Sequence, residues 1–297
     1  MKKTKILILA ALVALFFVGC KPEQSEPAYI TINAVTLDRG NDDNWNHKES
    51  GFFSNLIDAV SVSYWVKGDN AWTTLGTFQL PCTIPVLREG EIDTMQIEPI
   101  IKQNGIASTR IYYPYYRSIG LGRQTLVPGQ VLNLDTLHTT FKSSNTVKVA
   151  WEEYFTPTSN IRLDSVVRLV THPDTVLSGN GCGVIRVSPD QTSVNFWSDS
   201  LLVLNNPSAY VYLEMDYWTD FELSVGFNNP ERVGGANIIN AAMTLYRNTH
   251  WQKIYINLGK LWRQYNNYPY IRLYFTALNG DKRSGNIYLD NMKVVVM

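Results

Sequence analysis

Two carboxylates, Glu214 and Asp216, stand two positions apart in the stretch YVYLEMDYWTD. On a β-strand that spacing puts both on one face, at about the 5–5.5 Å that separates the acid pair of a retaining glycosidase. Catalytic carboxylates must flank the scissile bond from opposite sides, however, and neighbours on one strand do not. The four histidines (His47, His138, His172 and His250) are scattered, and no nucleophile elbow, HExxH or phosphate loop surrounds them. No Cys or His pair has zinc-ligand spacing. The polar run DRGNDDNWNHKES (Asp38 to Ser50) lacks the spacing and closing glutamate of a calcium loop. The expectation is a protein that is not an enzyme and has no catalytic residues.

Recognition is the chemistry that remains. In YVYLEMDYW the apolar list Val211, Leu213, Met215, Tyr217 builds a core, which turns Tyr212, Glu214 and Trp218 the other way. In WQKIYINL the core list Gln252, Ile254, Ile256, Leu258 leaves Trp251 and Tyr255 outside, and IRLYFTA likewise leaves Arg272 and Tyr274 outside. Aromatic rings offer faces to sugar C–H groups, while Glu214 and Arg272 offer hydrogen bonds to hydroxyls. Carbohydrate binding by Tyr212, Glu214, Trp218, Trp251, Tyr255, Arg272 and Tyr274 is therefore expected if the three strands share one face. Two other readings use the same residues: rings that simply pack, or a face that docks a protein partner in an assembly or scaffold role.

The elements that must position these residues are strands. Tyr29 to Leu37 alternates with Ile30, Ile32 and Ala34 on one face, and Ala59 to Val66 with Val60, Val62, Tyr64 and Val66. Short apolar runs between prolines and glycines continue to Leu137, and the tyrosines Tyr112, Tyr113, Tyr115 and Tyr116 read as packing residues. After a polar break at Lys142–Asn145 roughly nine more strands follow, and nothing shows a sustained helical period. The fold class is all-β: two β-sandwich domains, at 28–141 and 146–297, the second jelly-roll-like. Acidic and basic residues balance at 26 each, with no basic run beyond the first five residues, so nucleic acid is not an expected partner.

The first twenty residues, MKKTKILILAALVALFFVGC, join a basic start to the apolar run Ile6–Val18. The ending Val18-Gly19-Cys20 resembles a bacterial lipobox, with Phe17 where leucine is commoner. The resemblance implies a signal peptide over 1–20, acylation (palmitate) of Cys20, a tether over 21–27 (KPEQSEP), and anchoring in a membrane through lipid. Lys21, rather than aspartate, after the cysteine fits the outer membrane, with the periplasmic and cell-surface faces both open. Cys82 and Cys182 fall in different domains and are expected to be free thiols.

Two further resemblances bear on the folded part. LGTFQLP, TIPVL and NGIASTRIYYPYY resemble the N-terminal region of uncharacterised bacterial surface-type lipoproteins, which implies no activity. YVYLEMDYW, WQKIYINLGKLW and YIRLYFTALNGDKRSGNIYLDNMKVV, covering about residues 200–297, resemble the carbohydrate-binding jelly-roll modules of glycan-degrading enzymes and lipoproteins. That likeness implies two antiparallel sheets, glycan binding on a concave face or at loop tips, and a structural calcium. Asp290 in IYLDN matches the aspartate of the closing strand and is the implied metal ligand; no other cofactor is required.

Overall fold

The structure, a computed structural model, describes residues 26–39, 50–202 apart from 159, 173 and 180, 210–228, 240–265 and 271–297. The lipobox and Cys20 lie outside these residues. β-Branched and aromatic residues at alternate positions, broken by Pro, Gly and Asn, give short strands, most of them paired antiparallel.

The N-terminal half holds β1 (Ala28–Ile32), β2 (Ala34–Asp38), β3 (Ala59–Val66), β4 (Ala71–Gln79), β5 (Cys82–Val86), β6 (Gly90–Ile92), β7 (Thr94–Lys102), β8 (Arg110–Tyr112), β9 (Ile119–Leu121), β10 (Gln124–Leu126), β11 (Val131–Asn133) and β12 (Thr136–Thr140). Its main sheet has the order β4-β3-β7-β8, with β9 also on β7. Smaller sheets pack over it. In these, β1 and β2 run parallel to β11 and β12, so the two ends of the lobe close on each other. Ile30 and Ile32 are buried, but beyond exposed Asn33 the buried positions are Val35 and Leu37 rather than Ala34. The alternation expected through Ala34 thus slips by one at Asn33, which pairs with Asp135 between β11 and β12 (Asn33 Nδ2 to Asp135 Oδ1, 2.7 Å).

The C-terminal half is a sandwich of two antiparallel sheets. Its strands are β13 (Lys148–Glu153), β14 (Arg168–Val170), β15 (Cys182–Val187), β16 (Ser193–Trp197), β17 (Val211–Thr219), β18 (Glu222–Asn228), β19 (Asn240–Leu245), β20 (Gln252–Asn257), β21 (Arg272–Leu278) and β22 (Gly285–Val296). The first sheet has the order β14-β15-β22-β17-β20, with β13 also on β22. The second has the order β16-β21-β18-β19. Between them lies the core, in which Leu213, Met215, Leu223, Val225, Phe227, Phe275 and Val294 are all fully buried. One helix, α1 (Gly259–Tyr265), follows β20; its seven residues are too few to show a helical period in the sequence. Among the described residues no helix is long and apolar enough to cross a membrane.

The two halves meet along the outer face of the β17/β20/β22 sheet. Tyr212, Tyr255 and Val295 belong to the same buried cluster as Tyr113, Tyr115 and Tyr116 of the N-terminal lobe. The turn after β7 seals the edge of β20: Asn104 N donates to Tyr255 O at 2.8 Å, and Asn257 N donates to Asn104 Oδ1 at 2.8 Å. Asn104 and Gly105 both take positive φ (57° and 70°), the backbone that an Asn-Gly turn supplies at low cost.

Candidate functional site

The in-and-out phase read from the sequence is correct for β17: Leu213 and Met215 point into the sandwich, Tyr212 and Glu214 away from it. The outward face nevertheless does not meet water. Tyr212 is 1 % exposed, Tyr255 2 % and Glu214 0 %, because the N-terminal lobe lies on them. This corrects the expectation of an open glycan face for these three residues. A strand whose two faces are both buried has no exposed list, and alternation alone does not tell a solvent face from a docking face.

The contact is dense and polar at its centre. The Tyr113 hydroxyl donates to Glu214 Oε1 at 2.6 Å, and Lys293 Nζ lies 3.0 Å from Glu214 Oε2. The same ammonium donates to Phe52 O at 2.7 Å and sits 5.2 Å from the Phe52 ring centroid. Burial pushes the Lys293 ammonium down to about 8, opposed by the Glu214 charge. The Tyr113 ring meets Tyr116, Tyr212 and Tyr255 edge-to-face at 4.7, 5.3 and 4.9 Å. Burial, and after it the Glu214 charge, holds the Tyr113 phenol well above its usual range, so it stays a donor. Three of the four tyrosines in YYPYY therefore pack, as expected, but against the other lobe; Tyr112 is 56 % exposed.

A bulge between Glu214 and Asp216 brings a second group together where β17 meets β22. Asp216 Oδ2 accepts from Ser54 Oγ at 2.6 Å and from Asn291 Nδ2 at 2.8 Å. Asp290, the expected calcium ligand, is fully buried and accepts from Ser178 N and Ser178 Oγ, both at 3.2 Å, and from Asn291 N at 2.8 Å. Among the described residues no group of three or more His, Cys, Asp or Glu side chains could hold a metal ion. The oxygens of Asp290 are taken up by protein donors, and burial raises its carboxyl to about 7, with Asp216 adding to the rise.

Arg272 and Tyr274 lie elsewhere. Their strand, β21, belongs to the second sheet, so they occupy the opposite outer face of the sandwich from Tyr212 and Glu214. Tyr274 is 2 % exposed and stacks on Trp197 at 5.9 Å. The expected convergence of all seven residues is thus corrected: a sandwich has two outer faces, and phase does not say which sheet a strand joins. Trp218 remains half-buried at the end of the first sheet, 4.9 Å from Tyr288, a ring that the sequence reading misses. Ile287 and Leu289 point inward on either side of it, which is the signal that could have found Tyr288. Trp251 is 6.4 Å from the same tyrosine.

Trp251 also lines a concave feature, a cleft of about 920 Å³ between the lobes. Tyr217, Tyr246 and Lys253 from the C-terminal lobe and Asn55, Asp58 and Lys102 from the N-terminal lobe share its walls. Trp251 is held by its indole N–H, which donates to Thr175 O at 3.0 Å. Tyr246 is 74 % exposed. Two residues of these walls, Lys253 and Asp58, each carry a buried polar atom, Nζ and Oδ1, with no hydrogen-bond partner among the described residues. The Lys253 side chain is only 4 % exposed, and its ion pair with Asp216 Oδ2 spans 3.6 Å. A buried donor and a buried acceptor left unmet cost free energy until something supplies the bonds.

No family model matches the chain, and no curated protein matches it. Solved structures similar to it include TmCBM61 in complex with β-1,4-galactotriose, at TM-score 0.31 and 11% identity over 48% of this chain and 89% of that one. A carbohydrate-binding module of the β-sandwich superfamily gives TM-score 0.37 and 12% identity over 92% of this chain and 99% of that one. The family 30 carbohydrate-binding module of a Clostridium thermocellum cellulosomal cellulase gives 0.31 and 18% over 50% and 96%. Likeness at this level is too slight to bring a ligand or a site residue across. Cys82 and Cys182 are both free, Cys182 buried and Cys82 half-buried.

Proposed function

We propose that the protein is a membrane-anchored, non-catalytic lipoprotein that binds a glycan in the cleft between its lobes. The observation that carries this reading is that one cleft is lined both by the rings of Trp251 and Tyr246 and by Lys253 and Asp58, whose buried Nζ and Oδ1 have no hydrogen-bond partner among the described residues. The ring of Trp251 would stack on a sugar C–H face, Lys253 would donate to a hydroxyl and Asp58 would accept from one. Of the residues expected from the sequence, this reading retains Trp251; Tyr212, Glu214 and Tyr255 are buried against the N-terminal lobe. The face that a scaffold reading would offer to a partner protein already docks the chain's own N-terminal lobe.

Affinity in the micromolar to millimolar range is expected, with avidity on a surface. Affinity electrophoresis of the full chain through gels of neutral polysaccharides should show retardation by at least one. Trp251→Ala should weaken it about tenfold, the equivalent of losing roughly 1.4 kcal/mol of stacking. Equal retardation of parent and variant by every retarding polysaccharide, or retardation by none, would remove this reading.

The anchor has its own test. Cys20→Ser should move the protein from the membrane fraction to the soluble fraction, since acyl chains contribute about 0.8 kcal/mol per buried methylene. Continued membrane retention would count against acylation at Cys20.

A further inference from the structure

A second cleft, of about 970 Å³, opens on the other side of the Gln103–Asn104 turn, between the Arg110–Pro114 segment and α1. Arg110, Lys260 and Arg263 line it, and among the described residues no Asp or Glu does. On α1, Leu261 and Trp262 are buried, which turns Lys260 and Arg263 outward, three positions apart on one side of the helix. Neither forms an ion pair among the described residues. Arg110 is held in place by Asp58, at 2.9 Å, but that single carboxylate also faces Lys102 at 3.1 Å. Two cations on one acid leave a positive excess there too.

The cleft also carries flat rings. Tyr112 is 56 % exposed and Tyr210 is 49 % exposed, the former hydrogen-bonded to Ser61 Oγ at 3.1 Å. The amides at its floor are oriented: Gln103 Oε1 accepts from Tyr212 OH at 2.8 Å and from Asn257 Nδ2 at 3.0 Å. We propose that this cleft binds an anionic polysaccharide, with Arg110, Lys260 and Arg263 meeting its carboxylate or sulfate groups and Tyr112 and Tyr210 meeting its ring faces. A guanidinium fits either anion in a bidentate way, and a lysine serves as a point charge for both. Nucleic acid shares the anionic groups, but the chain's balanced charge provides no stripe along which a phosphate backbone would run. This cleft shares Asn104 and Ala242 with the Trp251 cleft but none of the charged or aromatic residues invoked here, and its test is read separately.

The full chain would be run by affinity electrophoresis through polygalacturonate, dextran sulfate and uncharged dextran. Retardation by polygalacturonate or dextran sulfate but not by dextran is expected. It should fall about tenfold in Lys260→Ala/Arg263→Ala and vanish at about 1 M salt, where the Debye length is roughly 3 Å. A Lys260→Gln/Arg263→Gln variant with an unchanged melting curve should behave like the Ala pair, and Trp251→Ala should leave this retardation as it is. Absence of retardation by both anionic polymers, equal retardation by dextran, or retardation that survives the double substitution overturns the proposal. So does a single-stranded oligonucleotide that displaces the protein more effectively than either polysaccharide, since that would assign the cleft to another class of ligand.

Discussion

Lys293→Met is expected to destabilise the protein by about 3–5 kcal/mol, the range for removing one partner of a buried ion pair. Both partners are fully buried, and the 3.0 Å contact lies where the two lobes meet. Without the ammonium, Glu214 keeps the Tyr113 hydroxyl but loses its counter-charge, and Phe52 O loses the Lys293 hydrogen bond. The buried carboxylate left without a counter-charge accounts for the penalty, more than the attraction lost between the charges. Glu214→Gln combined with Lys293→Met should therefore recover most of the loss, because it removes the stranded charge. Urea unfolding of parent, single and double variants measures this. A single variant within about 1 kcal/mol of the parent would mean that water reaches the pair and that the lobes do not seal it.

The second large effect is on pH. Asp290 titrates near 7 in the folded chain against 3.8 as its ordinary value, mainly because burial disfavours the charge and secondarily because Asp216 is close. A carboxyl raised in this way favours folding when protonated: its contribution is complete below pH 3.8 and is lost as pH rises toward 7. At about 1.36 kcal/mol per pH unit the whole swing is roughly 4 kcal/mol. Asp290→Asn cannot titrate, so the stability of the parent relative to this variant should fall between about pH 4 and pH 7 and stay level above it. Denaturant melts of both proteins at several pH values give the difference directly. A difference that does not change with pH would show that the Asp290 carboxyl is not raised.

The alternation in YVYLEMDYW determined by itself that Leu213 and Met215 join a core and that Tyr212 and Glu214 leave it, and the structure keeps that division. The same reading expects roughly nine strands after the Lys142–Asn145 break, against ten among the described residues, because a period of two and β-branched composition are local properties. It misses α1, whose single outward pair, Lys260 and Arg263, spans too few residues to register as a helical period. It also misses Tyr288, although Ile287 and Leu289 mark its direction.

What lies beyond a face is not local, and here the sequence by itself ran out. The choice of sheet for β21 put Arg272 and Tyr274 on the far side of the sandwich from Glu214, and that choice depends on pairing with β16 and β18. Docking of YYPYY onto β17 and β20 turned an outward list of rings into an interior, since the tyrosines of one lobe bury more apolar surface against those of the other than either could alone. Residue types and their spacing settled which side chains leave each sheet. Tertiary contact between distant segments, such as Tyr113 with Glu214, decided which of them meet water, and so left Trp251 half-buried beside an open cleft while burying Tyr212 and Tyr255 almost completely.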